Sequence, residues 1–298
     1  MTNNYAVEFN NLSKKYGSFD ALENISVKLE PNKIYGLLGR NGAGKTTLLN
    51  ILSAKIFATS GEAKVFGKPA FENIEILKQI CLIEEKGFYE DSVRVWQILE
   101  LASGLYPNWD KSYADHLLTV FELDKRKKYK QLSRGMESAL GLIIGLASRA
   151  PLTIFDEPSL GLDAVIRERF YEAVVDDYTE HPRTIIISTH LIDEVSRLFE
   201  DIIILSNGKM LLKSNASELR EKVFYVSGRE SAVREAAKDT IIMNEESFGG
   251  TLILSVYSEN GLAPSTDVDI QTMPLQKLFI ELINPKVHDK LKKGGILQ

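Results

Sequence analysis

The chain has 298 residues, 44% of them hydrophobic and 26% charged, with a formal net charge of -5 and one cysteine. That length accommodates one large domain plus a smaller one, and the acidic balance gives no electrostatic footprint for nucleic acid. A lone Cys81 excludes an intrachain disulfide or a cysteine metal cluster, the N-terminus lacks a secretory layout, and the longest apolar stretch, Ala139 to Ala147, falls well short of the ~20 residues of a membrane-crossing helix, so a cytoplasmic location is expected.

Taken in chain order, residues 5 to 38 alternate apolar and polar side chains around Gly17 and the Pro31-Asn32 turn and read as β-rich. Ile34 to Leu38 is a continuous apolar run, the pattern of a strand buried on both faces. A helix is predicted from Thr46 to about Lys55, and residues 91 to 130 read as mainly helical, with Val95, Ile98, Leu99, Leu101 and Ala102 on one stripe and Leu117, Leu118 and Phe121 on another. Two further buried strands, Leu152 to Phe155 and Thr184 to Ser188, flank a helical segment around Ile166 to Val175. This alternation predicts an α/β fold with a parallel core sheet. A hairpin around Asn207-Gly208 closes the core domain near residue 213. Beyond Ser214, short strands at 223–226 and 251–256, a helix at 231–238 and an amphipathic helix from Leu275 to Ile283 describe a small α+β appendage, followed by a solvated tail with lysines at 286, 290, 292 and 293.

Chemistry enters at Gly39-Arg40-Asn41-Gly42-Ala43-Gly44-Lys45-Thr46, which fits G-x-x-x-x-G-K-[ST] between a buried strand and a helix. Its glycines let backbone N–H groups converge on a phosphate, the helix adds its positive end, Lys45 reaches the outer phosphates and the Thr46 hydroxyl suits Mg2+. Thr47 extends this candidate contact set into the helix. The second motif is the strand ending in Asp156-Glu157-Pro158, where an open α/β sheet binds its ligands. Asp156 there suits magnesium, and Glu157 suits polarisation of an attacking water. Taken alone, Asp-Glu-Pro equally suits a cap for the next helix.

Leu132-Ser133-Arg134-Gly135-Met136, Ser159-Leu160-Gly161-Leu162-Asp163 and Ser188-Thr189-His190 complete an ordered series. In that order the motifs resemble the ATP-binding subunits of ABC transporters, over roughly residues 5 to 213. The resemblance implies a P-loop ABC-type ATPase fold with an antiparallel β subdomain and a helical subdomain at about 90–150, residues 214–298 forming the appendage. It further implies Tyr16 stacking on adenine, Ser133 and Gly135 gripping the γ-phosphate bound by an opposite subunit, Asp163 communicating across the dimer, and His190 steadying the attacking water. Tyr16 also suits a packed sheet position. The implied partners are ATP, Mg2+, a second ATP-binding subunit as homodimer or heterodimer, and multispanning membrane subunits. The chain would then sit on the inner face of the cell membrane, with Lys45, Glu157 and His190 catalytic and no nucleic acid bound.

The sequence departs from the family pattern in three places. Glu85 stands where a glutamine is usual and is the third candidate metal contact beside Thr46 and Asp156; the same residue also reads as part of a solvated acidic turn with Glu84 and Lys86. Arg134 replaces a common glycine, and Glu137-Ser138 replaces glutamine and a basic residue. The Leu-Ser-Arg-Gly-Met form is similar to a Gram-positive group of export ATPases encoded beside GntR-type regulators, which includes phenol-soluble-modulin exporters and acetoin-linked systems. Tyr89, Val93, Val95 and Trp96, with Phe88, are candidates to line a docking groove or to pack as core. Two other functions compete: a soluble ABC ATPase acting on ribosomes or DNA, and a nucleotide-sensing module without turnover, for which Glu157 and His190 have no use.

Overall fold

A computed structural model describes residues 5–84, 89–263, 265–293 and 295–296. These gather into two compact units, one comprising residues up to His190 plus Asn207–Lys209, the other Leu191–Ser206 and residues from Met210 onward. The sequence boundary at residue 213 follows motif order, whereas the structural division assigns most of the hairpin that precedes it to the second unit.

In the first unit, β1 (Val7–Tyr16) and β2 (Phe19–Leu29) pair antiparallel across the Gly17 turn. The parallel core begins with β3 (Ile34–Leu38), all five of whose residues are buried, and leads through the glycine loop into α1 (Lys45–Leu52). Next come β4 (Ser60–Val65) and β5 (Lys68–Pro69), which extend the antiparallel sheet in the order β2-β1-β4-β5. Their exposed glycine- and lysine-containing stretch carries no alternation, and the sequence did not reveal it. A single turn α2 (Ile74–Leu77) leads to β6 (Ile80–Ile83).

The helical segment resolves into α3 (Val95–Leu105), α4 (Lys111–Val120) and α5 (Arg134–Ala147). Val95, Ile98, Leu99 and Ala102 are buried, while Leu101 is 60% exposed, because it lies off their stripe. Val95 is therefore core and cannot line a docking groove, and Tyr89 packs edge-on against Tyr129 at 5.4 Å. Trp96 remains 43% exposed. The glycine-interrupted stretch 139–147 is the buried half of α5. Gly145 is needed there, since a Cβ would stand 2.7 Å from Phe155 Cζ, so its absence lets the helix lie directly on the sheet.

Then β7 (Leu152–Asp156), α6 (Ala164–Glu180) and β8 (Thr184–Thr189) complete the parallel core, with strand order β6-β7-β8-β3. The register pairs Asp156 with Ser188, which places the two strand ends side by side.

A charge network anchors the helical segment. Asp110 caps α4 by accepting from the Tyr113 N–H at 2.9 Å and pairs with Arg149 at 3.1 Å; Arg149 meets buried Asp177 at 3.4 Å, and Arg183 meets Asp177 at 2.6 Å. The Tyr113 N–H, reinforced by Ser112 and by Arg149, holds the Asp110 carboxyl below its usual range against a smaller opposing effect of burial. A depressed carboxylate contributes stability above its unfolded pKa of about 4 and loses it only as pH falls through the folded value. Asp110→Ala is accordingly expected to cost about 1–3 kcal/mol at neutral pH, from the lost cap and the loss of one of the two carboxylates that pair with Arg149, with the difference shrinking below pH 4 in urea titrations.

In the second unit, α7 (Ile192–Val195), the paired strands β9 (Asp201–Ser206) and β10 (Lys209–Asn215), and α8 (Ala216–Arg220) precede β11 (Val223–Gly228). The chain continues through α9 (Glu230–Ala236), β12 (Ile241–Phe248), β13 (Thr251–Tyr257) and β14 (Val268–Thr272) in an antiparallel sheet ordered β12-β13-β11-β14. This is a split β-α-β arrangement, with β13 inserted between β11 and β12. Val233 and Ala237 pack against Val226, Leu254 and Val256 to form its core. The amphipathic stripe after Leu275 is α10 (Leu275–Leu282), with Leu275, Leu278, Phe279 and Leu282 buried. The tail is not merely solvated: Pro285–Lys293 forms α11, because Val287 and Leu291, one turn apart, are both buried. Among the described residues no helix is long and apolar enough to cross a membrane.

Candidate functional site

The glycine loop leaves β3 and turns into α1 through Gly44, whose φ of 104° is left-handed. A Cβ there would meet Ala21 O at 2.7 Å, so both conformation and close packing demand glycine. The Ala43 N–H donates to Arg40 O at 3.0 Å, which tightens the loop, while Arg40, Asn41, Gly42 and Thr46 are exposed around its rim and Thr47 is half-buried. The first turn of α1 holds no acidic side chain of its own. Lys45 is nonetheless 5% exposed, with its ammonium donating to Gly39 O at 2.7 Å and pairing with Glu157 Oε1 at 2.9 Å.

Glu157 is the hub of the cluster. It stands just past β7 with φ 52°, and its N–H is shared by Ser188 O and Ser188 Oγ, both at 3.1 Å. One carboxylate oxygen faces Lys45; the other lies 2.9 Å from His190 Nδ1. Asp156, 6% exposed, accepts from the Ser188 hydroxyl, and the Thr46 hydroxyl is near enough to favour its charged form. Burial pushes the Asp156 carboxyl up, and the two hydroxyls and Lys45 oppose that shift while Glu157 adds to it.

Lys45, Thr46, Asp156, Glu157 and His190 thus meet in one place, from two strand ends and one helix start. Ser188 joins them although sequence reading gave it no role. Its signal was the parallel register of β7 and β8, which spacing along the chain does not reveal. Magnesium takes hard oxygen ligands and retains waters, so the exposed Thr46 hydroxyl at the start of α1 and the Asp156 carboxylate near it fit it. Glu85 lies outside the described residues, as do Lys86 and Phe88.

Among the described residues, the remaining candidates share no hydrogen bond or ion pair with this cluster. Tyr16, at the end of β1, is 50% exposed with the Lys14 ammonium 5.0 Å from its ring centroid, which leaves ring surface to solvent and argues against a packed sheet tyrosine. Ser133 is the exposed N-cap of α5, accepting from the Met136 N–H at 3.3 Å, with Gly135 in the first turn. Asp163 caps α6, accepting from the N–H groups of Val165 and Ile166 at 2.9 Å each. Neither Ser133 nor Gly135 bonds to the Lys45–Glu157 group, so a phosphate held by that group meets nothing from the α5 cap among these contacts.

Comparison with known proteins agrees with this geometry. Residues 22–160 match the family described as ABC transporter. The chain is 31% identical over 286 residues to the ABC transporter ATP-binding protein YtrB of Bacillus subtilis, covering 96% of this chain and 94% of that protein. It is 33% identical to the bacitracin transport ATP-binding protein BcrA of Enterococcus faecalis, covering 73% and 72%. Among solved structures, an ATP-binding subunit of an ABC transporter superposes with TM-score 0.65 at 24% identity, covering 72% of this chain and 92% of that one. The dimeric cassette MJ0796, in a post-hydrolysis state with ADP and Pi, gives TM-score 0.62 at 22% identity, covering 70% and 98%.

Proposed function

The chain belongs to the ATP-binding subunits of ABC transporters, a family of ATPases, and we propose that its own hydrolytic machinery is the Lys45–Glu157–His190 cluster. The observation that carries this reading is Glu157, fixed by Ser188 at the end of β7 with one oxygen on Lys45 and the other on His190. When ATP enters, the loop N–H groups of residues 39–47 and Lys45 take its phosphates, and Glu157 is released toward the water that attacks the γ-phosphate. His190, hydrogen-bonded to the same carboxylate, keeps Glu157 oriented. Thr46 and Asp156 would hold a magnesium ion, which would supply charge neutralisation on the phosphates.

The exposed ring of Tyr16 is the adenine platform. Aromatic stacking is worth about 1–3 kcal/mol per base, so Tyr16→Ala should weaken ATP binding about 10-fold with little change in maximal turnover, read by fluorescence titration beside steady-state kinetics. Ser133 and Gly135 serve a site whose P-loop belongs to another subunit, and Asp163 orders the intervening helix start at that interface. Residues 5–213 form the ATP-binding domain, and 214–298 its appendage. The separate membrane partner, the position on the inner membrane face and the export of a peptide, lipid or drug-like molecule belong to the same proposal, supported by the likeness to the bacitracin transport ATP-binding protein. Co-purification of the full chain from detergent-solubilised cells tests the partner: a multispanning membrane protein is expected, and ribosomes in its place would overturn the transporter role.

A further inference from the structure

Two of the departures from the family pattern, Arg134 and Ser138, converge on a single loop. The Ser138 hydroxyl lies 3.0 Å from Leu160 O and 3.1 Å from Arg134 O, so its one hydrogen is shared between the loop after Glu157 and the first residue of its own helix. Gly161, at φ 83°, sits beneath the Arg134 side chain: a Cβ at 161 would stand 2.9 Å from Arg134 Cγ and 3.2 Å from its Cδ. A cation at the first position of a helix opposes the macrodipole. Helix electrostatics therefore do not account for Arg134, whereas the packing of its stem on Gly161 does.

The loop continues this contact to the hub of the site. The Leu160 N–H donates to Glu157 O at 3.2 Å, and Glu157 pairs with Lys45. One unbroken series of contacts thus runs from Lys45 through Glu157, Leu160 and Ser138 to the α5 cap at Ser133.

We propose that Arg134 and Ser138 are positioning residues that clamp the α5 cap to the loop after Glu157, so that nucleotide on Lys45 of one chain shifts Ser133 of that same chain. Resting on the proposed site assignment, this clamp gives each chain a rigid link between the site it builds with its P-loop and the site it serves with its cap. With a glycine at 134 and no hydroxyl at 138 the Arg134 and Ser138 contacts would both be lost, while Gly135, whose own Cβ position is 2.9 Å from Gly161 O, would keep its approach to the loop. The two segments could then respond independently.

The test is hydrogen exchange of the full chain, at a concentration where it remains monomeric by light scattering, with Mg-ADP as the probe. Mg-ADP brings an outer phosphate to Lys45 without turnover. In the unsubstituted chain, amides at 157–163 and at 134–138 are both expected to change exchange rate several-fold. In Arg134→Gly/Ser138→Ala the response at 157–163 should persist and that at 134–138 should be lost. Ser138→Ala alone, which leaves the packing of Arg134 intact, should lose part of it, and Ser138→Thr, which keeps the hydroxyl, should retain it. A response at 134–138 that survives in the double variant would overturn the clamp. Silence at 157–163 in the unsubstituted chain would sink the site assignment beneath it, a different failure read from a different segment.

Discussion

Replacing Glu157 with glutamine is expected to lower steady-state ATP turnover by about 10³ while leaving ATP bound, since loss of a positioned base costs about 10²–10⁴ in rate. The amide keeps the volume and one acceptor for His190 Nδ1, so the backbone at 157, held by Ser188, has no reason to move. What it loses is the charge that pairs with Lys45. Lys45 is then held by Gly39 O alone, and a phosphate no longer competes with a carboxylate for the ammonium. ATP affinity should stay equal or rise a few-fold, and a closed dimer should accumulate because the γ-phosphate is not removed. Phosphate release, retained nucleotide and mass by light scattering, taken on one preparation, check all three. A Glu157→Gln protein with full turnover would remove the central residue of the site.

Sequence pattern singled out Lys45, Asp156, Glu157 and His190, which the fold brings together, because the motifs that carry them are local. A glycine loop between an apolar strand and a helix, and a strand ending in two carboxylates, are readable without knowing what lies beside them. The parts that were not readable are those made by register. Ser188 serves both Asp156 and the Glu157 N–H only because β8 lies parallel to β7 with Asp156 opposite Ser188. The ion pair of Lys45 with Glu157 joins residues far apart in sequence, and no periodicity encodes it.

The fold shows the same division. The buried runs of β3, β7 and β8 were legible, whereas β4 and β5 were missed, their exposed glycine and lysine residues carrying no alternation. Likewise α11 hid behind its lysines, since only Val287 and Leu291 mark its buried side. Arg134 and Ser138 read as departures from a pattern, and only the contacts with Leu160 and Gly161 gave them a place.

Mixing two inactive chains is expected to restore activity, and this follows from the proposal that Ser133 serves the Lys45 cluster of another subunit. Lys45→Ala removes the cation from the P-loop side, and Ser133→Arg puts bulk and an unpaired charge on the cap side. In a symmetric dimer of either variant alone, both sites carry the lesion, and turnover should fall at least about 10² by loss of transition-state charge stabilisation. A mixed dimer concentrates both lesions in one site and leaves the other with an intact P-loop and an intact cap. Random pairing of equal amounts makes half the dimers mixed, each with one working site, so about a quarter of wild-type activity should return. Were each chain to build its site alone, mixing would restore nothing, because every P-loop with Lys45 would still carry its own arginine at 133. If the natural partner is instead a different ATP-binding chain, the mixture stays silent while that partner rescues Lys45→Ala and Ser133→Arg at opposite sites. The quantity measured is therefore the number of chains in one site: in the proposed arrangement the glycine loop and Lys45 hold the phosphates, and the cap that completes them arrives on another polypeptide.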